Sequence, residues 1–229
     1  MFLRITRLTV GILLLPVCYA ASRSLVQLVK AIPTDSSSLI PPAAAAICGG
    51  FLVWLVMYFV LPTPVRTYVL AHELTHALWG TLMGARVSNI KVAKDKGSVT
   101  VSKTNFIITL APYFFPLYTF IIIAAYLVLS IFYDVEPYFL WWLGLVGFTW
   151  GFHMTFTISS LLQHQSDIHE CGYVFSYAVI YLFNVLGIAL WVVMVSAATL
   201  EQFVLLCQDS LIVTAGAIWH LARQIWPRR

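Results

Sequence analysis

Residues 43–61 contain no charged side chain, and nearly uncharged stretches of similar length recur down to the C-terminal end of the chain. About 20 continuous apolar residues match the roughly 30 Å of hydrocarbon that one α-helix must cross. Lipid offers backbone N–H and C=O groups no partners, so a spanning chain must be a helix bundle or a closed barrel. The runs are continuous rather than alternating, which excludes barrel strands. With 61% hydrophobic and 10% charged residues and a mean hydropathy of +0.89, against about 25% charged residues in soluble domains, water is not the main solvent. The chain is therefore expected to be an all-α polytopic membrane helix bundle, one transmembrane domain over residues 1–229.

The net charge of +4 does not point to nucleic acid, because the lysines and arginines sit almost entirely in short segments between apolar runs or at the chain ends. That placement is topological. If the segment with Arg86, Lys91, Lys94, Lys96 and Lys103 is cytoplasmic, Asp134 and Glu136 fall on the opposite side. Cys18, Cys48, Cys171 and Cys207 form no close pair, so no disulfide framework is implied.

The chain opens with Arg4 and Arg7 before an apolar stretch at 8–21, followed by Arg23 and Lys30, which reads as a retained first helix or as a signal peptide ending near Ala20. Residues 32–42, with Pro33, Asp35 and three serines, read as a loop. A span is expected at 43–61. Pro62-Thr63-Pro64 then breaks the helix, and a new one is expected over 65–83. Residues 87–92 and 98–102 alternate polar and apolar around Asp95-Lys96-Gly97, the pattern of a short β-hairpin within 87–103. Further helices are expected at 106–132, kinked near Pro112 and Pro116, then at 137–162, 173–198 and 203–226, with a loop at 163–172. The count is six or seven transmembrane helices.

His72-Glu73-Leu74-Thr75-His76 lies in the middle of the helix at 65–83. Residues i and i+4 share a helix face, so both imidazoles can reach one ion while Glu73 flanks them. Ionisable residues in a span are costly and line a protein interior or a wet cavity. One Zn2+ ion accounts for them: His72 and His76 as ligands, an open position for water, and Glu73 as the base that takes the water's proton and passes it to the leaving nitrogen. The other account is two packing histidines and a stray Glu. Asp167 is the candidate third ligand, since it lies where a helix re-enters and a carboxylate completes a hydrolytic zinc site. His164, His169, Glu170 and Cys171 are its rivals. His153 is either a core histidine or a group that supports the ligands or the transition state.

Taken together, the His-Glu-x-x-His pentad followed by Ala77, the hairpin after it, Ala111-Pro112-Tyr113 and an Asp before a later span resemble the site-2 protease family of intramembrane zinc metalloproteases, in its small bacterial branch without a PDZ-like domain. The resemblance is local, covering roughly residues 65–175, the expected metalloprotease core. The family's Asn-Pro followed by Leu-Asp-Gly is absent; Ser166-Asp167-Ile168, with Gly172 following, keeps only the acid. The resemblance implies cleavage of a transmembrane or membrane-anchored protein substrate, in a multi-pass protein of a bacterial inner membrane. The hairpin edge, through Val99, Thr100 and Val101, is a candidate to hold an extended substrate by strand addition, or else the hairpin is a basic cap. Two rival functions are a non-hydrolytic zinc carrier or sensor and an inactive protease-like scaffold. A carrier would spread ionisable residues along a path through repeated halves, and no internal repeat is visible.

Overall fold

The structure, a computed structural model, describes residues 2–32, 40–93 and 96–225. Part of the loop expected at 32–42, Lys94 and Asp95 of the hairpin turn, and the terminal Pro227-Arg228-Arg229 lie outside the described residues. In chain order the elements are α1 (Phe2–Lys30), α2 (Pro42–Val60), α3 (Val65–Leu82), β1 (Val87–Val92), β2 (Gly97–Val101), α4 (Phe106–Leu110), α5 (Leu117–Phe132), α6 (Phe139–Leu161), α7 (Ser166–Cys171), α8 (Tyr173–Val195) and α9 (Leu200–Ile225). The fold is mostly helical with one two-stranded antiparallel sheet, as the sequence predicts.

Among the described residues four helices, α1, α2, α8 and α9, are long and apolar enough to cross a membrane, and only 11–28% of their most apolar windows is buried within the protein. Side chains such as Phe59, Ile131 and Phe132 point outward at 79%, 75% and 72% exposure. Apolar surface on this scale needs an apolar solvent, which is compatible with a membrane protein. α4 and α5 pass the same test jointly but are bent by 83°. The bend replaces the kinked helix expected at 106–132, because Pro112 lies inside a single 3-10 turn, Ala111–Tyr113, and Pro116 stands at the N-cap of α5. α3 and α6 have the length, at 18 and 23 residues, but α3 carries Arg66, His72, Glu73 and His76, and α6 carries His153 among several Thr and Ser residues.

The chain divides into two compact units. One comprises residues up to Pro41 together with Cys171–Arg229. There α1 packs on α8 and α9 through buried Leu28, Ala189, Ala198 and Phe203, and Ser24 Oγ, itself buried, bonds the carbonyl of Leu206 at 3.0 Å.

The second unit, Pro42–Glu170, holds every residue of the pentad and Asp167. Its backbone is the α2–α6 pair. A Cβ on Gly50 would run into the carbonyl of Gly144, and one on Gly147 into that of Ile47, so the two helices approach as closely as glycine alone permits. Above this contact Trp54 is surrounded by Phe148, Phe152 and Phe156, and its indole N–H donates to Thr155 Oγ1 at 2.9 Å. Phe156 in turn stacks on Tyr68 of α3, with ring centroids 4.7 Å apart and 7° between planes. This stack fixes α3, and with it the pentad, against α6.

The hairpin follows α3. β1 and β2 pair through Val87↔Val101 and Val92↔Gly97, with a register shift between Ser88 and Lys91 where Asn89 takes a left-handed φ of 51°. Val87 and Val101 pack over Gly80, while Gly97, at the other end of β2, lies beside Val69 and Glu73. β2 therefore runs alongside the pentad. The expected loop at 163–172 is instead partly helical: α7 spans Ser166–Cys171, with Asp167 in its first turn, where a carboxylate complements the helix dipole.

Candidate metal centre

Three side chains converge from α3 and α7. His72 Nε2 and His76 Nε2 are 3.2 Å apart, and Asp167 Oδ2 lies 3.3 Å from the first and 3.5 Å from the second. Bonds of 2.0–2.1 Å at the tetrahedral angle place neighbouring ligand atoms about 3.3–3.4 Å apart. The triangle matches that spacing on all three sides. His72, His76 and Asp167 can thus hold a metal ion, and they are the group with metal-ligand geometry among the described residues.

The chemistry of the donors agrees with the spacing. His76 Nδ1 donates to the backbone carbonyl of Ile108 at 2.8 Å, which puts the proton on Nδ1 and leaves a lone pair on Nε2, facing the other two ligand atoms. Behind His72, Tyr68 Oη stands 3.4 Å from Nδ1 and 2.6 Å from Ser160 Oγ. Asp167 Oδ2 also accepts from the hydroxyl of Tyr113 at 3.0 Å. Burial opposes ionisation of Asp167, but in the metal-free state the imidazoles of His72 and His76, when protonated on the nitrogens that face it, outweigh burial and hold the carboxyl below the usual carboxylate range. An ionised carboxylate between two imidazole nitrogens is a place for positive charge. The three ligand side chains are largely but not fully covered, at 12–19% exposure, so an ion there remains reachable.

That access is a cleft of about 970 Å³. His72, Glu73, His76 and Asp167 line it, and so do residues 97–101 of β2. Glu73 is buried, at 8% exposure, and Gly97 lies directly against it. Val99, Thr100 and Val101 thus border the same space as the ligands, and β2 pairs with β1 on one side only among the described residues.

No family model, curated protein or solved structure matches this chain.

The remaining candidates fall elsewhere. Glu170 lines the cleft, and His164 stacks with His169 at 6.1 Å, yet none of these belongs to the converging group. Cys171 is buried. His153 lines a separate cavity of about 20 Å³ together with Tyr68, His72 and Thr149, and its buried Nε2 meets no partner among the described residues. Sequence reasoning passed over Tyr68, Ser160, Asn105 and the Ile108 carbonyl. A Tyr one turn before the first His was a visible signal for Tyr68; nothing in the spacing marks the others.

Proposed function

We propose that this chain is an intramembrane zinc metallopeptidase of the site-2 protease kind, cleaving a peptide bond of a transmembrane or membrane-anchored protein. The observation that carries the reading is the triangle of His72, His76 and Asp167 in the wall of a cleft that Glu73 and an open strand edge also line. The donor set of two imidazoles and one carboxylate is that of hydrolytic zinc sites, which bind through three protein ligands and keep a fourth position open. When bound, zinc supplies Lewis acidity that brings the pKa of water beside it toward about 7.

The protein's own groups supply the rest. Glu73, next to His72 in sequence and facing the same cleft, takes the proton of the attacking water and delivers it to the leaving nitrogen. β2 offers an extended substrate a row of main-chain partners, so that the scissile bond lies unwound beside the ligands. The ordinary requirement of a wet, extended peptide is met by a solvent-sized cleft next to a strand rather than by a dry helix interface.

On this reading α3 and α6 cross the bilayer as well, their polar residues turned inward, which brings the spans to seven. The setting is a cell membrane of the bacterial inner-membrane type. The deciding experiment compares the purified wild-type chain with Glu73→Gln, by zinc content and by cleavage of a membrane-embedded reporter. Both proteins should bind one zinc ion and only the wild type should cleave; equal cleavage by Glu73→Gln ends the proposal.

A further inference from the structure

One short segment touches all three ligands. α4 is a five-residue helix, too short to persist by its own hydrogen bonding. Two features hold it. Asn105 caps its N-terminus, the side-chain oxygen accepting from the N–H groups of Ile107 and Ile108 at 2.9 and 3.0 Å. Its far end is sealed by burial, with Leu110, Ala111 and Tyr113 all at 0% exposure before the chain turns by 83° into α5.

From this anchored piece two polar groups reach the centre. The Ile108 carbonyl accepts from His76 Nδ1, and the Tyr113 hydroxyl donates to Asp167 Oδ2, the same oxygen that faces both imidazoles. The Tyr113 ring also stands edge-on to His72, with centroids 5.3 Å apart and 86° between planes. His72 and His76 are held by a long helix. Asp167 comes from a six-residue helix 91 positions beyond His76, and its carboxylate would otherwise turn about two free torsions.

We propose that Tyr113 is the positioning residue of the third ligand, and that residues 105–113 act as a bracket setting the ligand geometry from outside the metal. The inference rests on the metal-centre reading. Hydrogen bonds from outside a metal site orient its ligands, and losing one typically weakens metal binding 10–100-fold. A Tyr113 that merely fills space makes a different prediction, because Phe keeps the ring and loses only the hydroxyl.

The test measures Zn2+ and Co2+ affinity of the full chain in detergent, by competition with a chromophoric chelator. Four proteins are compared: wild type, Tyr113→Phe, Asp167→Asn and the double variant, the last two read at higher metal concentration. Tyr113→Phe should bind zinc about 10–100-fold more weakly than wild type, with an altered cobalt absorption band. Its helical circular dichroism and the melting of its metal-free form should be unchanged. In the Asp167→Asn background the same change should cost nothing further, since the two residues act as one unit. Zinc affinity within twofold of wild type, or an equal loss in both backgrounds, overturns the proposal. A wild-type chain that binds no zinc removes the metal centre itself, and is told apart because the Tyr113→Phe comparison is then never reached.

Discussion

Gly97 lies against the carboxylate of Glu73: a methyl group on its Cα would come within 2.6 Å of Glu73 Oε1 and 2.5 Å of its Cγ. The first residue of β2 and the proposed base are therefore fitted to each other. Gly97→Ala should push Glu73 aside while leaving His72, His76 and Asp167 where they are. Misplacing a catalytic group by about 1 Å can cost about 10²-fold in rate. We expect a loss of that order in turnover of a membrane-embedded reporter, with zinc content unchanged; unaltered turnover would show that Glu73 has room to spare.

The roles within the pentad separate by what each variant retains. His76→Ala should lose metal and activity together, because one corner of the ligand triangle goes with it. Glu73→Gln should lose activity alone. Metal analysis of the two purified variants, alongside wild type, checks both.

The third ligand is a choice among neighbours. Asp167→Ala should lower zinc affinity at least 100-fold, whereas His164→Ala, His169→Ala, Glu170→Ala and Cys171→Ala should each stay within a few-fold of wild type, since none joins the converging group. A large loss in any of those four, with Asp167→Ala unaffected, would reassign the ligand.

His153 stands apart from the cleft, and its buried Nε2 has no partner among the described residues. Replacing a buried unpaired polar group with an apolar one of similar size is neutral or stabilising, by about 1 kcal/mol. His153→Leu is expected to keep its zinc and melt no lower than wild type. A tenfold drop in zinc affinity would instead make the imidazole a support for His72.

Glycines on two helices should respond oppositely to the same substitution. A Cβ at Gly147 collides with the Ile47 carbonyl, and overpacking of this kind costs about 1–3 kcal/mol. At Gly187 a Cβ meets nothing within 4 Å, so alanine should be tolerated or add up to about 1 kcal/mol of helix stability. Thermal melts of Gly147→Ala and Gly187→Ala in detergent test the pair.

What could be read from the sequence was whatever is written locally. The apolar runs gave the helices, the alternation around Lys96 and Gly97 gave the hairpin, and the four-residue spacing placed His72 and His76 on one face. Asp167 was reachable too, because an acid beside a helix re-entry stands out in so apolar a chain. The bracket was not legible: Tyr113 meets Asp167 across 54 positions, and Ile108 contributes a carbonyl that every residue possesses. The 83° turn was foreseen only as a kink, since two prolines announce a break without stating its angle. α7 was missed because its two apolar residues, Ile168 and Cys171, are too few to display a helical period.

β2 is five residues long. As a strand those residues measure about 17 Å, whereas five residues of helix occupy only about 7.5 Å. Any helical segment drawn alongside β2 must therefore lengthen by roughly 9 Å over that stretch, giving up more than one turn of internal hydrogen bonds. Sequences whose helices fray readily, through glycine, proline or β-branched residues near a membrane boundary, meet that demand most easily, so under the proposed peptidase function the length of this strand would act as a filter on which helices can be cut.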